Sequence, residues 1–472
     1  MNNNKKVIFF ILTVTILYLS LSVFSSYITP YYPNFKNINL ISDLLEKEVK
    51  EKKAKIKVKS ILKTENKKSD TIASTFDNFE EYNKKSTIVT FNNDSLVPSL
   101  KNLEEKLALL AQNKKVKIRI AWFGDSQIEG DFITQDLRNL LQNYFGKQKG
   151  VGFMPIHSVS SESRHTAQLN TVGNLQTKNL REGNAYSHLF LSGYSYTSDG
   201  LSIDFKDNTI KNPEQLSQKW LLYGKGDSIA IEMNDSIKKY PAATHFNRVL
   251  IDHSKSTRVK FKVVSNQTPI YGVSSEPASG LVLDNFSFRG ISGIELRKID
   301  TALLKQLNET GYYDLIVFQY GVNLMYKPNT LNYDYYYKGM KPVIRKFKRN
   351  LNKSDFLLLS CSDRAFRYNN QWETAIGIDT LIGIQARLAY ENKIPFYNFY
   401  ESMGGKGTIV KWADSIDQHA NKDYIHFNHK GSKVVANMLF KAFLNDYEKM
   451  AKKKTAAEKQ TPKKTDVNTT TK

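Results

Sequence analysis

The chain has 472 residues, 40% of them hydrophobic and 12% aromatic, with a formal charge of +22 at pH 7. That apolar content excludes wholesale disorder and suffices for two domains with tails. A single cysteine, Cys361, excludes an internal disulfide framework.

Lys5 and Lys6 precede an almost wholly apolar run over 7–24. Positive charge ahead of an apolar core is the pattern of an export segment. The run is long for a cleaved signal and close to the roughly 20 residues that cross a bilayer. It predicts a signal anchor over 1–27 that tethers the chain to a membrane. A weak small-residue site at Ser25 and Ser26 leaves cleavage as the alternative. Residues 28–112 read as a stalk: prolines and aromatics first, then charge, then polar turns. The stalk ends in a helix over 99–112, with Leu100, Leu103, Leu107 and Leu110 on one side. Much of the positive charge lies in lysine runs within 47–59 and 449–464. Such runs are solvated flanks suited to anionic headgroups or acidic polymers. No zinc finger or aromatic sheet motif accompanies them, so no nucleic-acid partner is expected.

Residues 116–123 alternate and then turn fully apolar, as a buried strand does, and Gly124 ends the run. A helical period follows over 132–144, through Phe132, Leu137, Leu140, Leu141 and Tyr144. Strand, tight turn and helix make the unit of a doubly wound α/β domain. Strands over 314–319, 356–360 and 395–399 repeat the unit with helices over 336–351, 376–391 and 430–449. Between 166 and 283 the rhythm breaks. Short strand-like runs at 187–191, 201–205, 219–223, 228–233, 248–252, 258–264 and 280–283 predict an inserted β-sandwich. The expected fold is therefore α/β: a doubly wound, mostly parallel sheet over 113–165 and 284–448. The β-sandwich interrupts it over 166–283, and a disordered basic tail follows over 449–472.

Gly124-Asp125-Ser126 comes directly after the first strand. A serine on such a turn is exposed at the carboxyl edge of the sheet, although the tripeptide also caps helices well. Asp423 and His426, at i and i+3, share one face of a helical turn. An imidazole near the serine removes its proton, and a carboxylate on the other ring nitrogen fixes the tautomer. Two other readings stay open: a capping Asp423 beside a surface histidine, or a metal site of Asp423, His426 and His429. Asn323 closes the triplet Gly321-Val322-Asn323 after a strand. Its amide, with the N–H groups of Ser126 and Gly290, supplies donors for an oxyanion. Taken singly, Asn323 and Gly290 are ordinary turn residues, and Gly293 is an alternative donor to Gly290. Together these residues complete acyl transfer through a serine ester, with no metal or organic cofactor required. Cys361, after the apolar run over 356–359, reads as a buried thiol.

In this chain order the blocks resemble those of the SGNH (GDSL-type) hydrolases, which have a flavodoxin-like fold. The resemblance covers 115–165 and 284–448. It implies Ser126 as nucleophile, His426 and Asp423 as the rest of a triad, and Ser126, Gly290 and Asn323 as an oxyanion hole. His426-Phe427-Asn428 with Gly431 fits the last block, whereas Val322 stands where a small polar residue is more usual. The run Gly124-Asp125-Ser126-Gln127-Ile128-Glu129-Gly130-Asp131-Phe132 is similar to the opening of bacterial cell-wall O-acetylesterases. Several of those carry a β-sandwich inserted before the glycine block. Glu401-Ser402-Met403-Gly404-Gly405, with Asn421-Lys422-Asp423 downstream, looks like secreted enzymes that accompany membrane-bound O-acyltransferases. The resemblance thus implies an exported serine esterase, anchored at the inner membrane and facing the periplasm. Its substrate would be an O-acetylated envelope polysaccharide or peptidoglycan. The alternatives are an O-acetyltransferase with the same triad, and a silent glycan-binding scaffold using Tyr194, Tyr196, Trp220 and Tyr223. Aromatics in such β domains also serve as core.

Overall fold

The computed structural model describes residues 7–10, 12–17, 80–91, 99–159, 163–182, 188–264 and 266–460. The chain divides into two units, 1–79 and 80–472. In the first, residues 7–10 and 12–17 are helical. No helix among the described residues is long and apolar enough to cross a membrane. The rest of the expected anchor, the stalk up to 79 and the tail over 461–472 lie outside the described residues.

All sheets among the described residues belong to the second unit. It opens with β1 (Ile88–Val89), α1 (Lys101–Ala111), β2 (Lys117–Gly124) and α2 (Thr134–Tyr144). An excursion holds β3 (Gly152–Pro155), β4 (Ala167–Asn179), β5 (Tyr194–Asp207), β6 (Ser217–Tyr223) and β7 (Ser228–Met233). It continues through β8 (Ser236–Pro241), β9 (Asn247–Ser254), β10 (Arg258–Val263) and β11 (Asn266–Glu276). The chain returns as β12 (Gly280–Ser287), α3 (Thr301–Glu309), β13 (Leu315–Gln319), α4 (Asp334–Asn350) and β14 (Asp355–Leu359). A hairpin of β15 (Ala365–Tyr368) and β16 (Gln371–Thr374) precedes α5 (Ile378–Glu391), β17 (Phe396–Tyr397) and the closing helix α6 (His429–Gln460).

The central sheet has six strands in the order β1-β17-β14-β13-β2-β12. β12 through β17 of that order run parallel, and β1 pairs antiparallel with β17. Counted along the chain, the parallel strands lie 2-1-3-4-5 in space, the order of flavodoxin-like doubly wound sheets. Side chains alternate faces along a strand. On β2, Ala121 and Phe123 enter one core while Ile120 and Trp122 enter another; on β13, Ile316 and Phe318 oppose Leu315 and Val317. A strand covered on both faces must be apolar at nearly every position. Leu303, Met340, Phe347 and Leu381 of α3, α4 and α5 cover the first face. Leu107, Leu137, Leu141 and Leu439 of α1, α2 and α6 cover the second. Each such side chain contributes about 2 kcal/mol by leaving water.

The domain limits differ from those expected. β1 lies inside the expected stalk, yet Ile88 stands opposite Tyr397 and Val89 opposite Phe396. The α/β domain therefore reaches back well before 113, and a two-residue strand is too short for a periodic signal. The insert begins before 166, because β3 pairs with β11, Met154 opposite Val273. Residues 280–283 leave the insert: β12 runs parallel to β2, from Gly280 opposite Lys117 to Ser287 opposite Gly124. An apolar run reads the same in either sheet, and only its hydrogen-bond partner decides. Residues 188–191, expected as strand, form none. The expected two-sheet sandwich is instead one antiparallel sheet of nine strands. β5 is shared: β4 follows one edge, while β10 takes the other edge beyond Gly200 and β11 takes it before. Glycine in a strand permits such a bend. The tail expected from 449 begins inside α6, which continues to Gln460.

A buried charge cluster joins the insert to the central sheet. Glu276 of β11 meets Arg119 at 2.7 Å, Lys117 at 2.9 Å and Arg248 at 3.1 Å. Burial alone would raise its carboxyl, but the three cations outweigh burial and hold it well below the usual range. Asp284 of β12 accepts from Tyr313 Oη at 2.9 Å and from the Phe153 N–H at 2.8 Å.

Candidate active site

Three loops leave the carboxyl edge of the central sheet side by side. In register, Gly124 of β2 stands opposite Ser287 of β12 and Gln319 of β13. Just beyond come Ser126, Gly290 and Asn323. This is the switch point of the doubly wound order, where such sheets open a crevice.

Asp125 directly follows β2 and caps the next turn. Its Oδ1 accepts the Gln127 N–H at 3.0 Å and so starts the 3-10 turn Ser126–Asp131. Ser126 is the first residue of that turn, where an N–H has no intra-turn acceptor. Burial pushes the Asp125 carboxyl up to about 7, against the Gln127 N–H and His426.

Ser126 and His426 lie 300 residues apart in the chain, yet Oγ and Nε2 meet at 2.7 Å. His426 Nδ1 lies 2.7 Å from Asp423 Oδ2. Asp423 Oδ1 accepts the N–H groups of Ile425 and His426, each at 3.0 Å. Burial raises the Asp423 carboxyl, but the His426 ring and those N–H groups outweigh it and bring it down to about 2. An ionised carboxylate only accepts, so Nδ1 carries the ring proton and Nε2 accepts from the Ser126 hydroxyl. The result is a hydroxyl–imidazole–carboxylate relay. Tyr424, inside the Asp-x-x-His turn, has a positive φ of 57°. The hairpin holds it there: Trp372 stacks on its ring at 4.1 Å, and the Ala365 N–H donates to its carbonyl at 3.1 Å.

Asn323 is half-buried, and its Nδ2 donates to the Ile291 carbonyl at 3.0 Å. An amide nitrogen has two hydrogens, so a second donor remains. Cys361 is buried directly beneath Gly321, and burial pushes its thiol up. Gly290 is exposed with φ 75°, a conformation few side chains accept. Gly293, the alternative donor, is buried against Tyr320 and Met340 and holds a packing position.

Several contacts around the site have no local spacing signal. Gln127 Nε2 donates to Ser362 Oγ at 2.5 Å and to the Ile425 carbonyl at 3.2 Å, tying the Ser126 turn to the His426 loop. Glu129 takes Arg289 through Nε at 2.7 Å and Nη2 at 2.5 Å, tying the same turn to the Gly290 loop. Arg364 Nη1 donates to the Val322 carbonyl at 2.6 Å. Asp131 is buried between Arg138 and Arg164; the two guanidiniums outweigh burial and hold its carboxyl below the usual range. Apart from Asp131 and Arg138, which lie 7 residues apart, each pair joins residues distant in sequence, so neither member shows its partner locally.

The metal reading of Asp423, His426 and His429 does not assemble. His429 turns to Phe132, edge-on at 4.5 Å, and to His165 at 5.6 Å. No group of three or more His, Cys, Asp or Glu among the described residues is placed to hold a metal ion. The four aromatics of the scaffold alternative are packing residues. Tyr196 and Tyr223 are buried, Tyr194 stacks on Phe288 at 4.9 Å, and Trp220 carries the Arg248 guanidinium at 3.7 Å.

No protein-family model matches the chain, and no curated protein matches it. Among solved structures, it is similar to a peptidoglycan O-acetylesterase at a TM-score of 0.61 and 20% identity. That match covers 74% of this chain and 96% of the other. It establishes a shared fold. A family two carbohydrate esterase from Cellvibrio japonicus matches at a TM-score of 0.24 and 10% identity, over 60% of this chain and 99% of that one. An acetyl xylan esterase from Geobacillus stearothermophilus matches at 0.25 and 14%, over 36% and 73%. Scores that low carry no argument.

Proposed function

We propose that the protein is a serine esterase that removes O-acetyl groups from an envelope glycan. The observation that carries the proposal is the unbroken Ser126–His426–Asp423 hydrogen-bond chain at the sheet's switch point. Ser126 Oγ attacks the acetyl carbonyl carbon while His426 Nε2 takes the hydroxyl proton. The carbonyl π pair moves onto oxygen, and the N–H groups of Ser126 and Gly290 with the Asn323 amide receive that charge. As the pair returns, the bond to the sugar oxygen breaks, and His426 gives that oxygen its proton. Water then adds to the acetyl-serine with His426 as base, releasing acetate and restoring the Ser126 hydroxyl. Asp423 stays ionised and steadies the imidazolium.

The substrate class draws support from the fold neighbour, which is named for peptidoglycan O-acetyl groups. The Lys5-Lys6 pair ahead of the apolar 7–24 run supports export and a membrane tether. The 401–405 and 421–423 segments support a membrane-bound O-acyltransferase as a partner. Ser126→Ala is expected to lower acetate release from 4-nitrophenyl acetate and from O-acetylated peptidoglycan by about six orders of magnitude, with an unchanged melting curve. Near-wild-type release by that variant refutes the assignment.

A further inference from the structure

We infer that the inserted β domain completes the oxyanion hole, with Arg181 as the positioning residue that aims and strengthens the Gly290 N–H. The inference rests on the esterase reading above and assigns the insert a part in that same site. Arg181 follows the end of β4. Its own N–H donates to Asn179 Oδ1 at 2.9 Å, and the neighbouring Leu180 N–H donates to the Gly193 carbonyl at 3.0 Å. Lys298, from the 3-10 turn Ile294–Lys298, donates to the Leu180 carbonyl at 2.5 Å. The tip that carries Arg181 is thus fastened on both sides.

From there, Arg181 Nη2 donates to the Arg289 carbonyl at 2.6 Å. The Arg289 carbonyl and the Gly290 N–H are the two ends of one peptide unit. In a trans unit they point in opposite directions, and no cis peptide occurs among the described residues. Fixing the carbonyl against Arg181 therefore fixes the N–H on the far side. That N–H donates to no protein acceptor among the described residues. It is an unspent donor beside the nucleophile turn, because Phe288 donates to the Gly124 carbonyl at 3.0 Å and Glu129 grips the Arg289 side chain. The peptide unit is clamped between the Ser126 turn and the insert.

Charge adds to geometry. A cationic donor on a carbonyl draws electron density from the amide nitrogen and strengthens its N–H as a donor. The contact is close: a Cβ at position 290 would lie 2.5 Å from Arg181 Nη2 and would push the guanidinium aside. Arg364 treats the other donor loop alike, through the Val322 carbonyl in the peptide that leads into Asn323.

The test compares the full chain with Arg181→Ala, Arg181→Lys and Ser126→Ala on 4-nitrophenyl acetate. For wild type and the Arg181 variants, rates are taken per mole of Ser126 labelled to completion by a fluorophosphonate, so misfolded molecules do not count; for Ser126→Ala they are taken per mole of chain. Arg181→Ala is expected to lower kcat about tenfold with KM within about twofold, as loss of a donor used mainly in the transition state requires. Arg181→Lys, which keeps a cationic donor, is expected to recover part of that loss. A kcat for Arg181→Ala within twofold of wild type, beside an inactive Ser126→Ala, overturns this inference and leaves the esterase standing. So does a loss carried by KM alone, or one that Arg181→Lys does not relieve. An active Ser126→Ala instead removes the esterase reading itself.

Discussion

Replacing Asp125 with asparagine isolates the cost of a buried charge next to the candidate nucleophile. Asp125 is 2% exposed. Its Oδ1 accepts the Gln127 N–H, while its Oδ2 has no hydrogen-bond partner among the described residues. Burial raises the carboxyl from 3.8 to about 7, with the Gln127 N–H and His426 as the opposing influences. The folded value is the raised one, so Asp125 favours the fold fully below pH 3.8. As pH climbs toward 7 the unfolded chain releases its proton first, and that advantage drains away. At about 1.4 kcal/mol per pH unit, the loss sums to about 4 kcal/mol. The Asp125→Asn variant keeps an oxygen for Gln127 and carries no charge to bury. Urea unfolding of both proteins at pH 4 and at pH 8 reads the difference. The stability gap should move by about 4 kcal/mol in favour of Asp125→Asn over that interval. Other titrating carboxyls, such as Asp131 and Glu276, are common to both proteins and cancel. A gap that stays constant from pH 4 to pH 8 would show that Asp125 ionises at an ordinary pH in the fold, and the burial argument would fail.

Two further substitutions probe the site and its support. Asn323→Ala should cut kcat about a hundredfold through the lost oxyanion donor while leaving the urea midpoint near wild type; acetate release measures the first and unfolding the second. Glu276→Gln removes the carboxylate shared by Arg119, Arg248 and Lys117, leaving Arg119 only Asp284 at 3.4 Å among the described residues, and should cost about 3–5 kcal/mol at pH 7. The folded carboxyl lies below its ordinary 4.5, held there by those cations against burial. Its contribution is therefore present above pH 4.5 and lost as pH falls through the lower folded value. Unfolding at pH 7 and at pH 2 should show the variant and wild type converging only in strong acid.

The parallel strands were legible because β2, β13 and β14 are buried on both faces and so must be apolar throughout. Helices α2, α4 and α5 were legible through one apolar stripe each. The insert was legible as β structure but not in its limits. β4 is largely polar and half-exposed, so it carries little apolar alternation. β12 would satisfy either sheet, and its parallel bonds to β2 decide the matter. Among the site residues, Ser126 and Asn323 stood out by residue type and by place after strands, and Asp423 and His426 by residue type and their i, i+3 spacing. Gln127, Glu129, Arg181, Arg289 and Arg364 did not, since a charge or amide shows its partner only when the fold supplies one.

The amino-acid order alone determined which segments are strands buried on two faces, and which side chains carry acid, base and nucleophile chemistry. Both are properties of local composition and period. Tertiary structure decided what meets what: the 2-1-3-4-5 strand order sets the loops of β2, β12 and β13 side by side, and α6 begins just past His426. Hydrogen bonds and ion pairs act over about 3 Å in space, whatever the separation along the chain, so only the folded backbone selects their partners.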